Sequence, residues 1–478
     1  MDILALLEGF ANHLLELQQD FMENGRFDIL EKEASEAGTQ TIAHFLSLTL
    51  SEADACIRDS GVRRRDYTIQ RQTSRTLVTT VGDVTFQNTL YRRRSDKTYH
   101  YLLTEMMGLP AHERLSEQAE AKILKDVSGI SYQRTADRLK IGNQKISKQA
   151  VKEKVHRSLS CFREEEPLPE EKKKKCEYLY IEADEDHIHE QGGEPGGRGF
   201  LGKLIYLYEG KEDVSKGKRR LVHPFYQGGI YSGTDGNRKL WERVQRYIEG
   251  HYDVDFLKRV YISGDGAMWI KAGVDYVYDS VLVADRFHLM KYINRAANLA
   301  LDDAAWVKEL FYKYIYQNNP QALYALLKKI QKSCGGKEAI ESCRSYFSEN
   351  WDAIQRAFHD KNVSGCSAEG HVSHVYSDRM SSRPMGWSKT GASAMCHLRC
   401  YVRNHGEEKV IDLVRYRREK EFEKLQATGT EGIIREEAKR HRTKQQLQIA
   451  PYWERMQASI GGLTARKTLA IRRRLNEI

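Results

Sequence analysis

At 478 residues and 55.3 kDa, the chain is too long for one ordinary domain and has room for two to four. Hydrophobic residues make up 40% of it, enough for real cores, yet no apolar run approaches the length of a membrane span, which argues against a helical membrane protein. The net charge of +9 is unevenly placed: residues 61–98 hold nine Lys/Arg against three Asp/Glu, and residues 401–478 hold 18 against 11. Basic ends with carboxylates prominent between them fit contact with a polyanion such as DNA; ordinary solvated faces are the plainer alternative. Eight cysteines are scattered without CxxC pairs, a pattern of reduced thiols rather than of a disulfide framework. The start, "MDILALLEGFANHLLELQQDF", is acidic and amphipathic and does not read as a signal peptide, so a cytoplasmic protein is expected.

Residues 1–58 read as helical, with Leu4, Leu7, Phe10, Leu14, Leu17 and Phe21 recurring at spacings of three and four. Residues 66–103 switch to alternation, and "TLVTTVGDVTFQNTLYRRR" predicts a hairpin turning at Gly82-Asp83 and closed by Arg92, Arg93 and Arg94. Three helices follow in "SEQAEAKILKDVSG", "SYQRTADRLKI" and "SKQAVKEKVHRSL", punctuated by Gly129 and Gly142, with Ser131 and Ser147 as N-caps. The last, bearing Lys148, Gln149, Lys152 and Lys154, suits the recognition helix of a helix-turn-helix; three-helix packing without DNA is the alternative.

"REEEPLPEEKKKKCE" (163–177) is a linker of charge blocks. Strands come next: "EYLYIEADEDHIH", "FLGKLIYLYEG" and "RRLVHPFYQ" predict an antiparallel meander, and the glycine-rich stretch 192–199 reads as a hairpin loop rather than a phosphate loop because strands flank it on both sides. A helix, the strand "KRVYISGD", a short helix and the strand "DSVLVAD" complete an order βββαβαβ, before about eighty helical residues (289–365) and a basic helical tail.

Three carboxylates stand where chemistry would put them: Asp184 after the first strand, Asp265 after the fourth, and Glu369 after the helical stretch. In such a sheet the first and fourth strands are neighbours, and two acids at adjacent strand ends repel unless a cation lies between them. Magnesium suits such a site. Two ions roughly 4 Å apart would stabilise the attacking and leaving oxygens of a phosphodiester displacement. Taken alone, each acid reads as a cap or loop carboxylate, and Asp265 would cap the helix at Ala267. Asp186 shares the parity of Asp184 and is the other choice for the first acid; Glu182 shares it as well. Cys366, His371 and His374 lack an evident fourth ligand for zinc, and Cys396 and Cys400 read as packing.

The segments "YIEADEDHIHEQ", "SGDGAMWIKAG", "VADRFHLMKYI" and "AEGHVSHVYSDRMSSRPMGWS", in this order, resemble the DDE transposases of bacterial insertion sequences. The likeness is greatest to the ISLre-type branch, long catalogued as an uncharacterised protein family and related to Mutator-like transposases. It runs from the hairpin near residue 66 to about residue 405. It implies an α/β fold: an RNase H-like catalytic domain with an all-helical insertion, preceded by helical, β-hairpin and helix-turn-helix DNA-binding regions. Asp184, Asp265 and Glu369 fall on the metal-binding triad, for Mg²⁺ with Mn²⁺ as substitute. His288, in the Asp285-Arg286-Phe287-His288 signature, takes a supporting role, with a core histidine as the alternative.

The chain then divides into an N-terminal helical region (1–60), a β-hairpin region (61–110), a helix-turn-helix domain (111–162), a linker (163–176), a first part of the core (177–288), the insertion (289–365), a second part of the core (366–405) and a basic helical C-terminal region (406–478). Lys148, Gln149, Lys152, Arg92, Arg93 and Arg94 are the expected DNA contacts, and Arg379 and Arg383 the expected phosphate contacts, through the bidentate guanidinium fork. The partners implied are double-stranded DNA, as element ends and target, and further copies of the chain in a synaptic dimer or larger assembly, in a bacterial, nucleoid-associated setting. The competing readings are a domesticated, non-catalytic DNA-binding regulator, which predicts a damaged triad, and a smaller metal-dependent nuclease such as a junction resolvase.

Overall fold

A computed structural model describes residues 3–139, 145–163, 172–192, 199–215, 218–363, 365–382 and 385–423. Two long helices, α1 (Ile3–Asn24) and α2 (Phe27–Asp59), lead to α3 (Gly61–Asp66). Strands β1 (Tyr67–Thr79), β2 (Gly82–Arg93) and β3 (Tyr99–His100) form an antiparallel sheet, followed by α4 (Leu102–Met106), α5 (Glu117–Gly129), α6 (Tyr132–Arg138) and α7 (Lys148–Arg163). Next come β4 (Tyr178–Ile188), β5 (Phe200–Tyr208), β6 (Gly210–Ser215), β7 (Lys218–Val222), β8 (Phe225–Ile230), α8 (Gly233–His251), β9 (Arg259–Gly264), α9 (Met268–Lys271) and β10 (Ser280–Ala284). The described chain closes with α10 (Arg286–Ala297), α11 (Ala304–Tyr316), α12 (Pro320–Cys334), α13 (Lys337–His359), α14 (Ala368–Val372), α15 (Asp378–Met380), α16 (Lys389–His405) and α17 (Val410–Glu423). It forms two compact units: one takes residues up to Ile123 with Gln133–Ser147 and the chain from Val414, the other Leu124–Tyr132 and Lys148–Leu413.

In the first unit, β2 alternates as a half-buried strand should. Val84 and Phe86 point inward to meet Ala43 and Ile57 of α2, with Leu77, Tyr91, Leu102 and Leu103 around them. Buried Asp54 ties α2 to β2 by accepting the Thr89 amide at 2.9 Å and hydroxyl at 2.6 Å. The hairpin turns two residues earlier than the sequence predicts. Thr80 and Val81 form the turn and Gly82 already pairs with Thr79. The Thr79 hydroxyl decides this: it accepts the Val81 amide at 3.2 Å and donates to the Gly82 carbonyl at 2.7 Å, doing within the turn what a Gly-Asp pair does elsewhere.

The second unit is built on a mixed five-stranded sheet, in order β10-β9-β4-β5-β8, with β10, β9 and β4 parallel and the other pairs antiparallel. Its third sequential strand is β8 (Phe225–Ile230); the "RRLV" that the meander reading joined to it pairs instead with β6 in a separate hairpin, because His223-Pro224 interrupts the run. Parallel strands covered on both faces are near-continuously apolar, as Val260-Tyr261-Ile262 and Val281-Leu282-Val283 are. One face packs Leu179, Ile181, Ala183, Ile205, Leu207 and Ile262 against Leu240, Trp241, Val244 and Ile248 of α8. The opposite face carries a row of stacked tyrosines, Tyr261, Tyr180, Tyr208, Tyr206 and Tyr226, with successive centroids 5.4–6.1 Å apart. Helices α10–α13 enclose a core of their own, centred on Leu289, Phe311, Leu327, Phe347 and Ile354, with Ala284 of β10 at its edge. Among the described residues no helix is long and apolar enough to cross a membrane.

Candidate functional site

Strands β4, β9 and β10 run side by side with Glu182 opposite Ser263 and Ala284 opposite Gly264. Asp265 and Asp285 follow β9 and β10 directly, and Asp184 lies at the same level in β4. Asp184 does not end that strand as the sequence predicts, because pairing with β5 carries β4 on to Ile188 after its parallel pairing with β9 stops at Glu182. Glycine lets the strand ends close up, since a Cβ at Gly264 would lie 2.8 Å from the Ala183 carbonyl oxygen. Burial pushes the Asp184 carboxyl up to about 6, reinforced by the charges of Asp265 and Asp285 and opposed by the Glu185 amide and His288. Burial is thus the main reason that Asp184 holds its proton more tightly, and the neighbouring carboxylates add to it. Asp186 is engaged elsewhere, accepting the Ser381 hydroxyl at 2.7 Å.

Asp265 both caps and faces the site. Its Oδ1 accepts the Ala267 amide at 2.8 Å, as the capping alternative expected, and Asp265 also acts on Asp184 through its charge. The turn between them is fixed from above. Gly266 has φ +92°, and a Cβ there would lie 3.0 Å from Asn350 Oδ1 of α13, so the insertion packs directly on the turn that carries the second acid. Asp285 is buried as the N-cap of α10: its Oδ1 accepts the Phe287 amide at 2.9 Å and its Oδ2 lies 2.9 Å from His288 Nδ1. That hydrogen bond raises the His288 pKa above its ordinary value, against the effect of burial, and favours the proton on Nδ1.

Glu369 stands apart. It lies in the first turn of α14 with its side chain 56% exposed, and its nearest cation is Lys291 of α10, at 3.9 Å. Among the described residues no three of His, Cys, Asp and Glu converge closely enough to hold a metal ion. The structure therefore brings two of the three expected acids together, adds Asp285 to them and leaves the third beside a lysine.

Behind Glu369, the segment before α14 is held by Glu182, which is only 1% exposed. Its carboxylate accepts the Ser367 amide at 2.5 Å and hydroxyl at 3.1 Å, the Tyr208 hydroxyl at 2.6 Å, the Tyr206 hydroxyl and the Lys211 ammonium at 3.1 Å. Burial alone would raise this carboxyl; Lys211 and the three hydrogen bonds from Tyr206, Tyr208 and Ser367 outweigh it and hold the pKa below the usual value. His371 stacks on Tyr206 at 4.4 Å and its Nδ1 lies 3.0 Å from the Tyr226 hydroxyl; burial lowers its pKa. The His371 ring and Lys211, with Arg220, His223, Tyr226 and Ser367, line a cavity of about 930 Å³ on this side of α14. Cys366, Cys396 and Cys400 are thiols whose pKa burial pushes up; Cys396 and Cys400 are packed inside α16, as expected.

Arg379 is not a phosphate contact. It is 5% exposed, its guanidinium lies over the Trp387 ring at 4.9 Å and the Tyr132 ring at 5.9 Å, and its Nε donates to the Val127 carbonyl at 3.0 Å. The sequence shows an arginine near an acid; only packing shows that an indole and a carbonyl already claim it. Arg379→Ala is expected to cost about 2–4 kcal/mol of stability in urea melts. Arg383 lies outside the described residues, as do most of the glycine-rich stretch (193–198) and the basic tail from 424.

Lys148 and Gln149 are exposed at the start of α7, Lys152 is half-buried, and Lys154, which the sequence put on the same basic face, is buried. In the hairpin, Arg94 is exposed. Arg93 donates to the Tyr67 hydroxyl at 3.1–3.2 Å and to Asp96 at 3.2 Å, while Arg92 lies 5.9 Å from the Tyr99 ring centroid.

The site thus belongs to an α/β protein with a mixed sheet whose three parallel strands carry aspartates at one level. Residues 22–417 match the profile of the uncharacterised protein family UPF0236, and the chain belongs to that family. A relative from Caldanaerobacter subterraneus subsp. tengcongensis is 30% identical over 84% of this chain and 84% of its own length, under a name that joins eleven gene designations of that genome. A second from the same organism, 30% identical over 76% of this chain and 75% of its own, joins four. A Streptococcus gallolyticus member, named for a vanSb 3′ region, is 24% identical over 82% of this chain and 84% of its own. A solved Drosophila P element transposase strand transfer complex aligns over 64% of this chain and 80% of that one at 8% identity and a TM-score of 0.23, too distant to carry an argument.

Proposed function

We propose that the protein is a metal-dependent DNA transposase that binds the ends of its own insertion sequence, cleaves there and joins the freed 3′-hydroxyl to target DNA. The reading rests chiefly on Asp184 and Asp265, carboxylates at one level of the adjacent parallel strands β4 and β9, where the charge of Asp265 adds to burial in raising the Asp184 carboxyl. Their hard oxygens suit Mg²⁺ or Mn²⁺, and the raised Asp184 carboxyl is what a cation site shows without its cation. Bound there, two such ions would activate a water or 3′-hydroxyl and stabilise the leaving oxygen.

The chain's own share is placement. Asp184 and Asp265 present their oxygens from one sheet edge. Asp285 orients the His288 ring and leaves its Nε2 available to accept a proton. Glu369 joins the two aspartates from α14 once it leaves Lys291. On this reading the sheet with α8 is an RNase H-like core, residues 289–365 are its insertion, and residues 111–162 are the helix-turn-helix region that the sequence suggests. Lys148, Gln149 and Lys152, with Arg92, Arg93 and Arg94, grip the element ends, held by a dimer or larger synaptic assembly. Relatives whose names join eleven and four designations of one genome support a gene that multiplies.

A non-catalytic DNA-binding regulator is the second reading, favoured by the separation of Glu369 from the two aspartates. The test is cleavage of a plasmid carrying the DNA that flanks the gene, in Mg²⁺ or Mn²⁺, by wild type and Asp265→Asn. Cutting by wild type alone, with both proteins binding, is the expected result. Binding by both with cutting by neither would leave the regulator, and equal cutting would remove Asp265 from the site.

A further inference from the structure

We infer that Glu182 is the positioning residue for Glu369, a buried anchor on the first-acid strand that fixes where the third acid's helix begins. The inference rests on the catalytic reading of Glu369. Glu182 sits two residues before Asp184 on the same side of β4, so one strand carries the first acid and the anchor of the third. Its Oε2 takes both the amide (2.5 Å) and the hydroxyl (3.1 Å) of Ser367, the N-cap residue of α14, with Cys366 Sγ at 3.5 Å. Lys211, at 3.1 Å from Glu182 Oε1, reaches onward to the Gly365 carbonyl. Of the three residues before α14, Cys366 and Ser367 are thus bound to one carboxylate and Gly365 to the lysine paired with it, and Glu369 follows Ser367 by two.

The residue type fits this task. An acceptor-only group with two oxygens is the side chain able to collect several donors at one buried point, and hydrogen bonds to an ionised acceptor are the strong kind. A buried charge held only for packing would be replaceable by an apolar side chain. Here Ser367 gives two of the donors from the segment that must be placed, which the sheet cannot hold by strand pairing because α14 follows the helical residues 289–365. Tyr206 and Tyr208, stacked at 6.1 Å, support the carboxylate from β5, and His371, one turn along α14, rests on Tyr206. The helix is therefore pinned at its start and along the side turned toward the sheet, while Glu369 itself stays exposed.

The test is Glu182→Gln in the full-length protein, read by hydrogen exchange of the 365–372 amides and by a thermal melt, with DNA cleavage measured separately. Gln keeps the size and one acceptor oxygen but loses the charge. Exchange across 365–372 is expected to rise roughly 10- to 100-fold, with β4, β5 and α8 unchanged and the melt within a few degrees of wild type. In Mn²⁺, kcat for cleavage should fall, as the proposed function also expects of Glu369→Gln, with DNA affinity retained. Ser367→Ala, a smaller change that removes one donor, should give the same localised exchange to a lesser degree and serves should the Gln variant fail to fold. Unchanged protection of 365–372 in both variants overturns the inference, as does loss of protection spread evenly through the sheet, which is what a residue serving only the core would give. Absence of cleavage by wild type would count against the transposase reading alone, because the exchange result stands without it.

Discussion

Asp184→Asn is expected to move stability and activity in opposite directions. Burial, with Asp265 and Asp285 close by, raises this carboxyl from 3.8 to about 6. A group whose pKa is higher in the folded than in the unfolded protein favours folding only while protonated. Its contribution is complete below 3.8 and lost as the pH rises through about 6. At pH 8 the ionised carboxylate therefore costs the metal-free protein about 3 kcal/mol. Asparagine keeps an oxygen for the Glu185 amide, 2.8 Å away, and carries no charge. In EDTA the variant should unfold at a higher urea concentration than wild type at pH 8, and the difference should vanish below about pH 4. On the proposed transposase reading, in Mn²⁺ it should cleave DNA roughly 10²- to 10³-fold more slowly, the scale of losing one element of transition-state electrostatics. A variant no more stable than wild type at pH 8 would mean that other groups neutralise Asp184, and one that still cuts would take Asp184 out of the metal site.

The second large effect lies in the first unit. Glu120, near the start of α5 and 1% exposed, receives Arg417 at 2.7 Å and Arg418 at 2.9 Å, both from α17 and both buried. Arg418 also donates to the Leu115 carbonyl at 3.0 Å. Glu120→Ala leaves two guanidinium groups out of water without their shared acceptor, and breaking a buried pair in this way costs about 3–5 kcal/mol. Glu117→Ala, which loses a 3.6 Å contact with the half-exposed Arg415, should cost no more than about 1 kcal/mol. Urea melts of the two variants compare them directly. Equal losses would mean that Glu120 acts through helix propensity rather than through its arginines. Replacing Glu120, Arg417 and Arg418 together by apolar residues of similar size should restore most of the stability.

Local pattern carried much of the outline. Alternation announced the β1–β2 hairpin, although not its turn, because a threonine hydroxyl did the work expected of Gly82-Asp83. The runs Tyr178–Ala183, Val260–Ile262 and Val281–Ala284 announced the parallel strands. The aspartate closing each apolar run was equally visible, so Asp285 could have been read as a site acid from the shared form of "YIEAD", "YISGD" and "VLVAD". Glu182 was legible only as a residue on the same side of β4 as Asp184, since its partners Lys211 and Ser367 are 29 and 185 residues away.

By itself, then, the sequence determined most of the segments that are strands or helices and that Asp265 ends its strand, for these are matters of neighbouring residues and of a period of two or 3.6. That β4 runs past Asp184 to Ile188 was decided by its pairing with β5. Tertiary structure alone decided what each polar group meets. It placed Arg379 against Trp387 rather than toward solvent, Lys154 in the interior of its unit rather than on a basic face, and Glu369 beside Lys291 rather than with Asp184 and Asp265. The physical reason is that charge and hydrogen bonding act through space, over a few ångströms, between residues that the chain separates by tens or hundreds of positions.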